Sequence, residues 1–267
     1  MEKEPEITQE AIDALRKHND PTLNKVADKL QAQLKPKNDY LERIITCNAE
    51  ILKLKEHIKI LAHEDVDDPV LIIGESGTGK ELIANALHNG REGKFVPINC
   101  AGMPDNLIES ELFGYEKGTF TGGLSNGKKG LFEEAVDGTI FLDEIAELSI
   151  PMQAKLLRAI QENKIRRVGG KEEICISCRF ISATHRNIDE DKEGSYFRRD
   201  LFWRISTIIL RPLKLALRME DVPLIIAALD KDKKFPTAHI IPVEKLDGNV
   251  RSLQQIVRRF YLLGELP

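Results

Sequence analysis

VLIIGESGTGKELIANALH, Val70 to His88, passes from a continuous apolar run through a glycine-rich turn into an amphipathic run. Val70, Leu71, Ile72 and Ile73 read as a strand covered on both faces. Leu82, Ile83, Ala86 and Leu87 recur at helical spacing. Between them, Gly74-Glu75-Ser76-Gly77-Thr78-Gly79-Lys80 has the G-x-x-x-x-G-K spacing of a phosphate-binding loop. Gly77 and Gly79 permit turns that a side chain forbids, so that successive N–H groups can converge on a β-phosphate. Lys80 supplies a mobile positive charge for the β and γ phosphates, and the following helix adds the positive end of its dipole. Glu81 stands where most such loops put a Ser or Thr that touches Mg²⁺, so other groups or water must help hold the metal.

The 267 residues, 42% hydrophobic and 31% charged, suffice for one sizeable core or two modest ones. A net charge of -4 gives no global attraction to nucleic acid, so any DNA contact needs a local patch. The start Met1-Glu-Lys-Glu-Pro has no signal-peptide apolar region, and no apolar run approaches a membrane span, so the expected location is cytoplasmic, without membrane contact. Cys175 and Cys178 have C-x-x-C spacing but lie in an apolar alternation, where residues three apart on a strand face opposite ways. With Cys47 and Cys100 they read as thiols in a reducing compartment, and this pair as small buried apolar residues.

In chain order, residues 1–40 read as a separate helical segment, capped at Thr8, broken at Asp20-Pro21 and ended by Pro36. Its near balance of acids and bases favours a docking or regulatory helix pair over a DNA-reading one. Ala49–Ala62 is expected as a helix, Phe95–Asn99 as a strand, and Asp105–Phe113 as a helix stopped by Gly114. Gly114 to Gly130 holds six glycines in seventeen residues and predicts a protruding loop. An exposed Phe120 in its middle gains nothing from burial, which points to a contact loop that moves with nucleotide state.

Thr139–Leu142 predicts another strand, with Asp143 and Glu144 at the end where open parallel sheets bind ligands. Asp143 is then placed to hold Mg²⁺ through water and Glu144 to polarise the attacking water. Pro151–Glu162 predicts a helix, Arg179–Thr184 a strand that brings Thr184 and His185 beside the phosphates, and Ile205–Leu210 a last strand. Arg198 and Arg204, six apart around a predicted helix, could serve a γ-phosphate across a subunit interface. Helices starting near Asp221 and Gly248 complete a small region after Pro212.

Together these residues resemble the central ATPase domain of the bacterial sigma-54-dependent transcription activators, in the AAA+ superfamily, over about residues 41–267. GESGTGKE at 74–81 is similar to that family's phosphate loop, Glu81 included, and ESELFGYEKGTFTGG at 109–123 to its GAFTGA loop. The resemblance implies that Phe120 and Thr121 contact the sigma factor and that Asn99 is the switch residue holding the catalytic Glu144. It also implies that Thr184 lies in the first sensor, that Arg198 and Arg204 act in trans, and that Arg251 in GNVRSL is the second sensor.

The departures are Thr119 and Gly123 in place of alanines, Ser177 in place of an Asp, Leu246-Asp247 in place of Trp-Pro, and a short stretch between Asp221 and Gly248. The fold implied is an α/β AAA+ domain with a three-layer parallel sheet at 41–211, a shortened α-helical lid at 212–267, and the helical segment at 1–40. The activity implied is that of a ring-forming ATPase, a hexamer using ATP and Mg²⁺, which remodels the sigma-54 RNA polymerase closed complex. No C-terminal DNA-binding domain is expected within this chain, and DNA binding is left open. The rival readings are an AAA+ remodeller with another protein target and a non-hydrolysing ATP-dependent regulator, separable by turnover and by sigma-54 binding.

Overall fold

The computed structural model describes residues 14, 23–24, 26–27, 40–63, 65–89, 91–119, 127–188, 196–230, 232, 234–236, 241–264 and 266. The chain divides into two compact units, Met1–Asp39 and Tyr40–Pro267. In the first unit the described residues, among them Ala14, Leu23 and Ala27, are helical. The expected caps at Thr8 and Asp20 and the stop at Pro36 lie outside the described residues.

The second unit runs α1 (Ala49–Leu61), β1 (Val70–Ile73), α2 (Lys80–His88), β2 (Phe95–Asn99), α3 (Asp105–Phe113), β3 (Gly114–Tyr115), β4 (Lys128–Lys129) and α4 (Leu131–Glu134). It continues with β5 (Thr139–Asp143), α5 (Ile150–Glu162), β6 (Lys164–Ile165), β7 (Ile174–Cys175), β8 (Arg179–Thr184), α6 (Arg199–Ile205), β9 (Ile208–Leu210), α7 (Val222–Leu229) and α8 (Asn249–Leu263). Five strands form one parallel sheet in the order β2-β5-β8-β1-β9. Strands from distant parts of the sequence are neighbours, so helical crossovers must cover the faces.

Side-chain alternation explains why these strands read as continuous apolar runs. Leu71, Ile73, Ile98, Ile140 and Leu142 face one core, shared with α3, α5 and α6. Val70, Ile72, Phe141, Ile181 and Ala183 face the other, shared with α1 and α2. A third, separate cluster around Leu215, Val222, Ile226, Leu246, Leu253 and Val257 holds the C-terminal helices together. At the start of the strands Arg179, 1% exposed, donates to Leu61 O at 2.8 Å and Leu87 O at 3.0 Å, closing the C-terminal ends of α1 and α2.

Two sequence expectations change. The last strand begins at Ile208, because Ile205 is the final buried residue of α6 and Ser206 caps that helix. Cys175 is exposed, because the β6–β7 hairpin stands outside the sheet and β8 starts only at Arg179. Cys178 is half-buried, and burial pushes its thiol up to about 12. Among the described residues no helix is long and apolar enough to cross a membrane.

Candidate nucleotide site

At the C-terminal end of β1 the chain turns through the phosphate loop into α2. Gly77 has φ +77°, and a Cβ there would stand 2.1 Å from Gly248 O, so both conformation and space demand glycine. Gly79 precedes α2 at φ +99° and offers no side-chain cap, which leaves the first-turn N–H groups of α2 available to an anion. Thr78 Oγ1 donates to Glu75 O at 2.8 Å and braces the loop from within.

Lys80, 7% exposed, donates to Gly74 O at 2.9 Å and lies 3.4 Å from Glu144 Oε1. A buried ammonium needs such partners to offset desolvation, and they hold it over the loop it serves. Glu144 follows β5 in the left-handed region, φ +52°, which turns its carboxylate toward the loop side. His185 fixes that carboxylate twice, its backbone N donating to Oε2 at 3.1 Å and its Nδ1 lying 2.7 Å from the same oxygen. Burial works to raise the Glu144 carboxyl, but the His185 hydrogen bonds and Lys80 outweigh it, and it lies below its ordinary value. Asp143 is pushed the other way, first by burial and then by the neighbouring Glu144 charge. Two adjacent carboxyls with opposite shifts suit different roles.

A cavity of about 520 Å³ gathers these groups. Ser76 to Glu81, Asn99, Asp143, Glu144 and Arg251 line its polar part, and Ile44, Ile45, Ile51, Leu54, Ile225, Leu229 and Val250 its apolar part. Asn99 stands beside Asp143 in the sheet register. Its side-chain oxygen accepts from Ala101 N at 2.8 Å, and it makes no hydrogen bond to Glu144, contrary to expectation; the turn after β2 uses the amide, and His185 holds the glutamate instead. Thr184 is fully buried one strand from the loop: Gly74 N donates to its carbonyl at 3.0 Å and Arg186 N to its hydroxyl at 3.0 Å. Arg251 Nη1 donates to Ser76 Oγ at 3.0 Å, which brings the C-terminal helices onto the loop.

Arg198 and Arg204 lie outside the cavity. Arg198 precedes α6 and pairs with Asp200, at 3.0 and 2.7 Å from its two carboxylate oxygens. Arg204, in the last turn, donates to Ile160 O at 3.3 Å and borders a groove at the starts of the strands with Asp67 and Arg179. Phe120 and Thr121 lie outside the described residues, but their stem is visible. Gly114–Tyr115 pairs with Lys128–Lys129, and Tyr115 bridges Val168 beside the β6–β7 hairpin. Arg167 ties the two hairpins, with Nη2 at 2.7 Å from Glu133 and Nη1 at 3.1 Å from Glu116.

Two groups escaped sequence reading. Asn249, 1% exposed, bonds to the phosphate loop. Asp221, fully buried, receives Thr46 Oγ1 at 2.8 Å, Cys47 N at 2.7 Å and Arg218 Nη1 at 3.0 Å, fastening the wall of the cavity around Ile44 and Ile45 to the helical cluster. A Gly-Asn pair is a turn signal that could have marked Asn249; Asp221 looks in sequence like an ordinary helix cap.

The sheet order, the phosphate loop and the paired strand-end carboxylates define an AAA+ P-loop protein. NtrX from Brucella abortus, solved in complex with ADP, superposes with TM-score 0.73 at 30% identity, over 91% of this chain and 56% of that one. A RuvB mutant from Thermotoga maritima shares the fold alone, with TM-score 0.56 at 18% identity over 85% of this chain and 66% of that one.

The family model described as the sigma-54 interaction domain matches residues 44–211, and the chain belongs to that family. The transcriptional regulatory protein GlrR of Escherichia coli K12 is 41% identical over 240 residues, 85% of this chain and 53% of that protein. The response regulator PilR of Pseudomonas aeruginosa is 44% identical over 211 residues, 74% of this chain and 47% of that protein. The chain thus spans about half the length of these relatives.

Proposed function

We propose that this chain binds and hydrolyses ATP as a homo-oligomeric ring, a hexamer, and uses the turnover to remodel the closed complex of sigma-54 RNA polymerase through the loop around Phe120. The observation that carries the reading is the meeting of Lys80, Asp143 and Glu144 at one cavity whose opposite wall is the helical cluster. The triphosphate would lie along the N–H groups of the loop. Lys80 would exchange its bonds to Gly74 O and Glu144 for the phosphate oxygens, so its charge is paired before and after binding. The adenine would take the apolar part of the cavity, lined by Ile44, Ile45 and Ile225.

Glu144, ionised at neutral pH and held by His185, would accept a hydrogen bond and then a proton from a water whose oxygen forms the new bond to the γ-phosphorus. The bond from the γ-phosphorus to the bridging oxygen breaks and leaves ADP and phosphate. Asp143 would hold Mg²⁺ through water; an ion that keeps most of its waters needs few protein ligands, which fits Glu81 in the usual Ser or Thr place. When bound the ion would neutralise charge on the phosphate oxygens. The position of Arg198 and Arg204 outside their own cavity supports a role at a neighbouring subunit's site. The antiparallel pairing of Gly114–Tyr115 with Lys128–Lys129, tied by Arg167, flanks the sequence that carries Phe120 and Thr121, which supports the contact-loop reading.

Replacing Glu144 by Gln tests the chemistry: ATP binding should persist while turnover falls by about 10²–10⁴. Unchanged turnover would remove Glu144 from the mechanism. Replacing Thr121 by Ala tests the target: hydrolysis should continue while sigma-54-dependent transcription is lost, and retained activation would remove the loop assignment.

A further inference from the structure

Asn249 opens the last helix in an unusual way. Its φ is +55°, in the left-handed region that side chains other than Asn, Asp and Gly avoid, and it is 1% exposed. A buried amide must place two N–H donors and a carbonyl. Asn249 directs both donor contacts at the phosphate loop, Nδ2 donating to Ser76 O at 2.9 Å and to Glu75 Oε2 at 3.2 Å, while its Oδ1 accepts from Leu215 N at 2.6 Å. One side chain therefore fastens the last helix, the start of the helical cluster and the phosphate loop. Val250 N adds a bond to Gly77 O at 3.1 Å, and Lys214 Nζ lies 3.5 Å from the other oxygen of Glu75.

Peptide planarity gives that grip a consequence. In a trans peptide the C=O and the following N–H point in opposite directions, so holding a carbonyl aims the next amide. With Ser76 O turned toward Asn249, Gly77 N–H is turned away from it. The loop's donors are thus oriented before a phosphate arrives, which removes part of the ordering cost of binding.

We propose that Asn249 is a positioning residue for nucleotide binding, a latch that sets the phosphate loop through Ser76 and Glu75 and acts separately from Arg251. The inference rests on the nucleotide-site reading above. Asn249 shares no hydrogen bond with Lys80, Asp143 or Glu144, so its effect falls on binding rather than on the chemical step.

The test compares Asn249→Gly, which keeps the left-handed backbone without strain, with Asn249→Asp, which keeps shape and the acceptor for Leu215 N but sets a carboxylate against Ser76 O and Glu75. For both, the dissociation constant of a fluorescent ADP and the KM for ATP should rise about tenfold, with kcat within about twofold of wild type. Adding Glu75→Gln to N249D returns a donor to the pair and should recover part of the loss, which a purely structural role would not do. If N249G does not fold, N249D and its Glu75→Gln partner carry the test. Binding and KM within twofold of wild type in a wild-type background that binds ADP would overturn the latch alone, as would a fall in kcat at unchanged KM. A wild-type chain that bound no ADP would overturn the nucleotide-site reading and the latch with it.

Discussion

The phosphate-loop end of the sheet and the stem of the Phe120 loop are built in opposite ways. Around the loop, the polar groups are buried or half-buried and each has a backbone partner: Lys80 with Gly74 O, Thr78 with Glu75 O, Asn249 with Ser76 O, Glu144 with His185 N. The stem is two pairs of residues in register, Gly114–Lys129 and Tyr115–Lys128, tied to the neighbouring hairpin by Arg167 between Glu116 and Glu133. Backbone partners at short range fix a geometry that chemistry needs. Side-chain ion pairs of part-exposed groups hold less tightly and can be exchanged. The difference fits a fixed nucleotide site at one end and, on the proposed function, a contact segment at the other.

The sharpest break of that contrast is Lys80→Ala, which removes the buried cation. Titration with a fluorescent ADP should show affinity lowered by about 10²-fold or more, while the fold persists. Next is Gly77→Ala, which meets both a positive φ and Gly248 O at 2.1 Å. Urea denaturation should show a loss of about 3 kcal/mol, because backbone, not a flexible side-chain end, must move.

His88 gives a smaller effect, visible with pH. Burial first, then Arg91 and Arg179, lowers its imidazole from 6.5 to about 4. The unfolded chain then binds the extra proton between those values, so stability present above 6.5 is lost as pH falls toward 4. The loss between pH 7 and 5 should be on the order of 2 kcal/mol, and His88→Asn should flatten that part of a stability-against-pH curve. Smallest is Arg167→Ala at the stem, expected to cost about 1 kcal/mol in thermal or urea unfolding, leaving ADP affinity unchanged. An Arg167→Ala chain with impaired ADP binding would mean that the two regions are not separable.

Much of the scaffold was legible because its signals are local. Phe95–Asn99 shows the alternation of a strand with one buried face and Arg179–Thr184 that of a strand buried on both, and Gly114 ends its helix with a positive φ of +75°. The phosphate loop and the Asp143-Glu144 pair were equally readable from spacing. The groups that join distant segments were not. Asp221 bonds to Thr46 and Cys47 across most of the chain, and Asn249 reaches Ser76 across a similar span. No window of sequence contains both partners. His185 as the holder of Glu144, in place of Asn99, depends on how two adjacent strand ends meet. Cys175 was misread as buried because alternation cannot distinguish a central strand from a two-residue hairpin outside the sheet.

The most direct measurement is ATP turnover per chain over a wide range of protein concentration, with Glu144→Gln as the inactive control. A site completed by Arg198 or Arg204 of a neighbouring subunit predicts a per-chain rate that rises steeply as chains assemble and is absent from the control. A per-chain rate that is flat with concentration, or no turnover in a chain that binds ATP, would contradict it.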